Sequence, residues 1–252
     1  MYSSFLPENE SEGHSIYNPD KSPTARSLDG QTWAATYGDG SSANGEVFLD
    51  EVRVGNTLAR SQAVEIAMNI SLEFSMDAES DGILGLGFDS NNQVKPDKQK
   101  TFFSTVKTSL SSPLFTADLK KNKPGSYDFG FINPMKHTGT IEYIPVNAQL
   151  GFWGFNCSGY AIGGGAFTKR PMNAIMDTGT TLLLLPATMV SVYYAQVASA
   201  LYNSTLGGYA FPCSNELPDL TLQLGGYQAV IPGSYMTYTS LNDGTGSGSN
   251  CC

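Results

Sequence analysis

The run Ala174-Ile175-Met176-Asp177-Thr178-Gly179-Thr180-Thr181, continued by Leu182 to Leu185 and Pro186, carries the clearest chemical signal in the chain. One carboxylate stands between an apolar approach and an apolar exit. A carboxylate buried there must be hydrogen-bonded, or its pKa rises. Thr178 and Thr180 can donate, and Gly179 lets a backbone or ligand come close. The run therefore predicts a rigid loop that presents Asp177 into a dry cleft. Other chemistries lack their residues. With four cysteines in no C-x-x-C pair and only His14 and His137, there is no zinc constellation. There is no G-x-S-x-G elbow for a serine hydrolase, and Cys157 has no basic neighbour in sequence to activate it.

The surrounding elements must position that loop. Thr32 to Tyr37 reads as a strand, Gly38-Asp39-Gly40-Ser41 as a hairpin tip, and Gly45 to Val54 as the returning strand. Tyr37 beside a Gly-rich tip is large enough to cover a cleft; the plain alternative is a cross-strand aromatic. Residues 62–74 alternate and end at Phe74. Asp81 to Phe88 interleaves apolar residues with glycines and predicts a buried strand with close backbone neighbours. Phe102, Phe103, Val106 and Leu110 have helical spacing, as do apolar positions across Ala187 to Asn203. Tyr17 to Asp20, Leu28 to Gly30 and Gly163 to Gly165 read as turns. Leu114 to Pro145 reads as several short strands at a lobe boundary. Leu220 to Leu224 and Ala229 to Ile231 are strand-like, and 242–250 is a Gly/Ser-rich loop.

Composition agrees with a β-rich protein of one large or two medium domains. Hydrophobic residues make up 40% and charged residues 15%, with 27 glycines, which suits strands joined by tight turns. A net charge of −9 argues against nucleic acid and anionic membrane as partners and fits a protein that works in acid. No segment is long and apolar enough to span a membrane, and the start of the chain lacks the pattern of a signal peptide. N-x-[ST] sequons include those at Asn69, Asn156 and Asn203. Cys213 could bridge to Cys251 or Cys252.

These residues together resemble the fungal pepsin-like aspartic proteases, a bilobal endopeptidase family. Trp33 with Tyr37 to Ser41 is similar to the family's flap. Asp81 to Phe88, Thr101-Phe102-Phe103, Gly151-Phe152-Trp153 and Ile175 to Leu185 follow in the family's order. The resemblance implies an all-β, bilobal pepsin-like acid protease fold with a few short helices. It implies an N-terminal lobe over 1–136 and a C-terminal lobe over 137–252. It makes Asp177 one of two catalytic aspartates and puts Tyr37, Gly38 and Asp39 on a flap over substrate. Phe74, Asp77 and Ile83 would line the unprimed subsites, and Phe152 and Ile175 the primed side. Gly179, Thr180 and Thr181 would hydrogen-bond substrate or the carboxylate, and Cys213–Cys251 would be a disulfide. It implies polypeptide substrates, no cofactor and no metal, secretion, and a monomer.

The family carries a second Asp-Thr-Gly upstream of the flap, whereas Asp177 begins the only one in these 252 residues. The resemblance would place the other just ahead of Ser3 to Pro7, and a further buried strand beyond Cys251. The expectation is a fold truncated at both ends, with unpaired sheet edges, exposed apolar faces and little or no activity alone. Two alternatives accompany it: a catalytically dead homologue that binds extended peptides, or a dimer that pairs two Asp177 loops.

Overall fold

A computed structural model describes residues 1–241 and 250–251 of the chain. Most of the Gly/Ser-rich run (242–249) and Cys252 lie outside the described residues. The chain forms two compact units, one of residues 1–140 with 148–152, the other of 141–147 with 153–252.

The first unit contains α1 (Glu8–Ser11), β1 (Arg26–Thr36), β2 (Ser42–Val54), β3 (Thr57–Ile70) and α2 (Leu72–Ser75). It continues with β4 (Val94–Lys95), α3 (Phe102–Val106), β5 (Phe115–Lys120) and β6 (Lys123–Phe129). Its main sheet is antiparallel in the order β3-β2-β1-β4, and β5 and β6 form a separate hairpin. The expected Leu28-Asp29-Gly30 turn is a bulge inside β1, between the pairs Ser27–Phe48 and Thr32–Glu46. Gly30 sits there at φ 77°. Turn chemistry thus bends this strand without ending it.

Trp33, Ala43, Val47, Ala67 and Val94 pack with Tyr2 and Leu6 into one core. A smaller cluster joins Ala59 to Phe102 and Val106, an i, i+4 pair on α3. Thr101 caps that helix by accepting the Ser104 N–H. Asp50, 4% exposed, accepts hydrogen bonds from Tyr17 Oη (2.7 Å), Ser22 Oγ (3.0 Å), Thr24 Oγ1 and the Glu51 N–H (2.7 Å). These bonds fasten the 17–24 segment to β2. Burial pushes the Asp50 carboxyl up, but its donors outweigh that and hold it below the usual carboxylate range.

The second unit contains β7 (Gly154–Ile162), β8 (Thr168–Ile175), α4 (Ala187–Tyr194), β9 (Leu201–Asn203) and β10 (Gly208–Pro212). It ends with β11 (Leu220–Leu224), β12 (Tyr227–Ile231), β13 (Ser240–Leu241) and β14 (Asn250–Cys251). Two antiparallel sheets have the orders β12-β11-β7-β8 and β13-β14-β10-β9. Gly163-Gly164-Gly165 lies between β7 and β8, as the turn reading requires. Met189 and Tyr193 of α4 are buried with Tyr160, Ile162, Val197, Phe211, Leu220 and Cys251. Cys213 and Cys251 form a disulfide, with 5.0 Å between their Cα atoms.

Three expectations change. The helix read across Ala187 to Asn203 stops at Tyr194: Ser199 takes φ 59°, and Leu201–Asn203 enters a hairpin as β9. The region from Leu114 to Pro145 holds only β5 and β6 among the described residues. Asp81 to Phe88 is neither a strand nor buried: Ile83 is 61% and Leu84 45% exposed, and no described ladder includes the segment.

Candidate active site

In the first unit, β1 and β2 carry the Tyr37 hairpin. Its tip is closed by Tyr37 N–H to Ser41 O (2.8 Å) and Gly40 N–H to Tyr37 O (3.0 Å). Gly40 adopts φ 90°, which a side chain would resist. Asp39 Oδ1 accepts both the Ser41 hydroxyl (2.6 Å) and the Ser41 N–H (2.9 Å). These two bonds hold the exposed Asp39 carboxyl below its ordinary range. Ser41 is buried, so the tip stands on an anchored base while Gly38 and Asp39 are exposed. Trp33 anchors β1 below it by donating from Nε1 to Ile66 O (2.9 Å).

Tyr37 meets Phe74 edge to face, with ring centroids 5.4 Å apart. The sequence placed both in a substrate-contacting set, and the structure brings these two together. Phe74 is itself held: it packs against the core, and Tyr2 Oη donates to its carbonyl at 2.6 Å. Asp77 caps its own turn by accepting from Ser80 Oγ at 2.6 Å. Ile83 is exposed in the segment described above, and Phe152 is exposed beside Gly151, whose carbonyl accepts the Phe88 N–H.

Sequence reasoning missed Glu65. It lies on β3, half-buried, and accepts from Asn92 Nδ2 at 2.7 Å. Burial raises its carboxyl above the usual range. Burial also raises the Tyr37 hydroxyl, and the charge of Glu65 adds to that. The available signal was an acidic residue in the middle of an alternating strand.

In the second unit, β8 leads into the Asp177 loop, and α4 follows it behind Pro186. The Met176 N–H donates to Trp153 O (3.0 Å) and fixes the exit from β8. Asp177 Oδ1 accepts the Gly179 N–H (2.9 Å), and Oδ2 accepts the Thr180 hydroxyl (2.7 Å). A Cβ on Gly179 would stand 3.3 Å from Asp177 Oδ1, so glycine allows the tight wrap. Both carboxylate oxygens are thus held by the motif's own residues, and Ile175 and Thr181 flank them.

The expected dry cleft is not found. Asp177 is exposed, as are Ile175 (50%), Met176 (62%) and Leu184 (76%). β8 is an edge strand in its described sheet; Leu182 to Leu184 are exposed, while Leu185 packs against the core of the unit. Among the described residues there is no group of three or more His, Cys, Asp or Glu that could hold a metal.

The family model for eukaryotic aspartyl proteases matches residues 2–252. The chain belongs to the eukaryotic aspartyl protease family. This aspartyl protease chain is 50% identical over 245 residues to penicillopepsin-3 of Penicillium janthinellum, covering 97% of the chain and 61% of that relative. It is 49% identical to aspergillopepsin-1 of Aspergillus fumigatus, covering 97% and 62%. To endothiapepsin of Cryphonectria parasitica it is 48% identical, covering 98% and 59%. The aspartyl protease chain therefore spans about three-fifths of the length of these relatives. Its fold is similar to the crystal structure of the aspartic proteinase from Irpex lacteus, with a TM-score of 0.77 at 21% identity. That match covers 94% of this chain and 73% of the other. The mostly β architecture with a few short helices is the pepsin-like fold.

Proposed function

We propose that this chain is the Asp177-bearing part of an acid endopeptidase that hydrolyses peptide bonds through an activated water. The observation that carries the proposal is the Asp177 loop: both carboxylate oxygens are oriented by the Gly179 N–H and the Thr180 hydroxyl, and the carboxylate remains open to solvent. Two close carboxylates share one proton, because both cannot ionise at that separation. The ionised one takes a proton from water, and the water oxygen bonds to the peptide carbonyl carbon. The protonated one gives its proton to the carbonyl oxygen. When the tetrahedral intermediate collapses, the C–N bond breaks and the amine leaves with a proton.

In this reading the N-terminal lobe is residues 1–136 and the C-terminal lobe 137–252. Tyr37, Gly38 and Asp39 close over an extended polypeptide, and Phe74, Asp77 and Ile83 line its unprimed side. Phe152 and Ile175 line the primed side, and Gly179, Thr180 and Thr181 hydrogen-bond near the scissile bond. Apolar and aromatic substrate residues suit these walls. The disulfide fits passage through an oxidising compartment, so the proposed location is extracellular. No described helix is long and apolar enough to cross a membrane.

Asp177 begins the only Asp-Thr-Gly among these residues, so the 252-residue chain alone should cleave little or nothing. The open apolar surround of Asp177 favours a second reading, in which two copies bring two Asp177 loops together. The test is cleavage of denatured protein at about pH 3 to 5, where such carboxylate pairs work, with Asp177→Asn as control. Activity that rises linearly with dilute protein and disappears in the control would overturn the claim of low intrinsic activity. Activity rising with the square of concentration would establish the paired-loop reading. Tight binding of a transition-state-like peptide without cleavage would leave a peptide-binding homologue.

A further inference from the structure

We infer that Asn203 carries an N-linked glycan and that this glycan covers the open edge of the β9 sheet. The inference rests on the proposed passage through the secretory route. Of the sequons at Asn9, Asn69, Asn156 and Asn203, the structure favours the last. Asn9 lies inside α1, and its sequon serine, Ser11, donates to Pro7 O (3.1 Å) and Glu8 O (3.3 Å). Asn69 Nδ2, the atom that would be modified, already donates to Asn44 Oδ1 at 3.1 Å. The hydroxyl of its sequon serine, Ser71, accepts the Ser42 N–H. Asn156 lies within β7, where it pairs with Asn173 of β8. Its neighbour Cys157 is buried, and its sequon serine, Ser158, donates to Gln223 O.

Asn203 lies outside any ladder interior, and no hydrogen bond of the described residues holds its amide nitrogen or its sequon hydroxyl. It ends β9 at the tip of the β9–β10 hairpin, and Asn203, Ser204 and Thr205 are all exposed. Its Oδ1 accepts the N–H groups of Thr205 (2.9 Å) and Leu206 (3.2 Å). The carboxamide is held through its oxygen, and its nitrogen makes no hydrogen bond among the described residues. A glycan there displaces no contact of the folded chain. The transfer joins Asn203 Nδ2 to C1 of the first sugar of a lipid-pyrophosphate-linked oligosaccharide. The bond from C1 to the pyrophosphate breaks, the lipid pyrophosphate leaves with the electron pair, and the amide loses one proton to a base.

The same hairpin has something to cover. β9 is the edge of the β13-β14-β10-β9 sheet. Leu201 is 73%, Tyr202 61% and Leu206 47% exposed around Asn203. An open edge with apolar side chains invites pairing with another chain, and a bulky hydrated group at its tip blocks that approach.

The test expresses the full chain behind a secretion leader in a yeast host. Peptides from both the secreted and the membrane-enclosed intracellular pools are treated with peptide N-glycosidase in heavy-oxygen water. The expected result is conversion of Asn203, but not Asn9, Asn69 or Asn156, to labelled Asp, and its loss in Thr205→Ala, which keeps Asn203 itself. The Thr205→Ala protein should also scatter more light on warming. Unmodified Asn203 in a chain whose Cys213–Cys251 disulfide has formed would overturn the inference, as would occupancy of Asn9, Asn69 or Asn156 instead. Unchanged scattering with Asn203 glycosylated would overturn the shielding role. Export of the chain without the added leader is measured separately, so failure of the secretory reading shows as absent export and leaves the site assignment standing on the leader-driven result.

Discussion

Replacing Asp50 by Asn tests how the first unit stays folded in acid. Asn preserves the shape of the side chain but presents one acceptor where Asp presents two. At least one of the hydroxyls of Tyr17, Ser22 and Thr24 then loses its partner, and the bonds that remain lose their charge. A buried hydrogen bond to a charged group contributes roughly 1.5–3 kcal/mol, so the loss should be about 2 kcal/mol at neutral pH. For a unit of this size that is a fall in unfolding temperature of about 6 °C. The pH dependence separates charge from packing. The folded Asp50 carboxyl titrates below its unfolded value. Its contribution is complete above the unfolded value, near pH 4, and is lost as pH falls through the folded one.

The assay is urea unfolding of wild type and Asp50→Asn followed by Trp33, which is buried in the same unit. The gap between the two proteins should be constant from about pH 7 to 5 and close below about pH 4. A gap that persists unchanged to about pH 2 would show that the substitution acts through packing, and would refute the charge argument. Tyr17→Phe completes the cycle: its effect should be smaller in the Asp50→Asn background than alone.

Two further outcomes follow from the same reasoning. Glu65 has the opposite sign, since burial raises its folded-state carboxyl; stability is full below the unfolded value and is lost as pH rises through the folded one. Glu65→Gln should therefore unfold at a higher midpoint than wild type at about pH 7 and match it below about pH 4, and a gap equally large in acid would contradict the assignment. Cys213→Ser opens a covalent loop with a sequence separation of 38 residues. It should destabilise the second unit by about 4 kcal/mol in the chain-entropy picture, read by Trp153 fluorescence in urea, and a loss under about 1 kcal/mol would contradict it.

Features set by short-range chemistry were legible in the sequence. The Tyr37 hairpin follows from Gly38-Asp39-Gly40-Ser41, because the Asp39 carboxylate, the Ser41 donors and the positive φ of Gly40 all lie within a few residues. The Gly163 to Gly165 turn and the start of α4 behind Pro186 were legible for the same reason. Helix length was not. Apolar spacing continues through Val197 to Leu201, and Val197 is indeed buried, but it packs against the core from a turn. Burial of an apolar residue at helical spacing is satisfied by any backbone that delivers the side chain. Glu65 escaped notice because its environment is built by Asn92, distant in sequence.

The Asp177 loop separates two properties that the sequence pattern joins. The local property is the wrap of Gly179 and Thr180 around the carboxylate, and it is present in full. The other is depth, which depends on what packs against Ile175, Met176 and Leu182 to Leu184, and these side chains stand open. Leucines report the demand for cover; they do not supply it. The same distinction applies to Ile83 and Leu84, whose apolar pattern predicts a buried strand while their backbone follows no described ladder. The orientation of Asp177 is thus encoded by residues next to it. Burial of Ile175 and of Leu182 to Leu184 depends instead on elements distant from the loop.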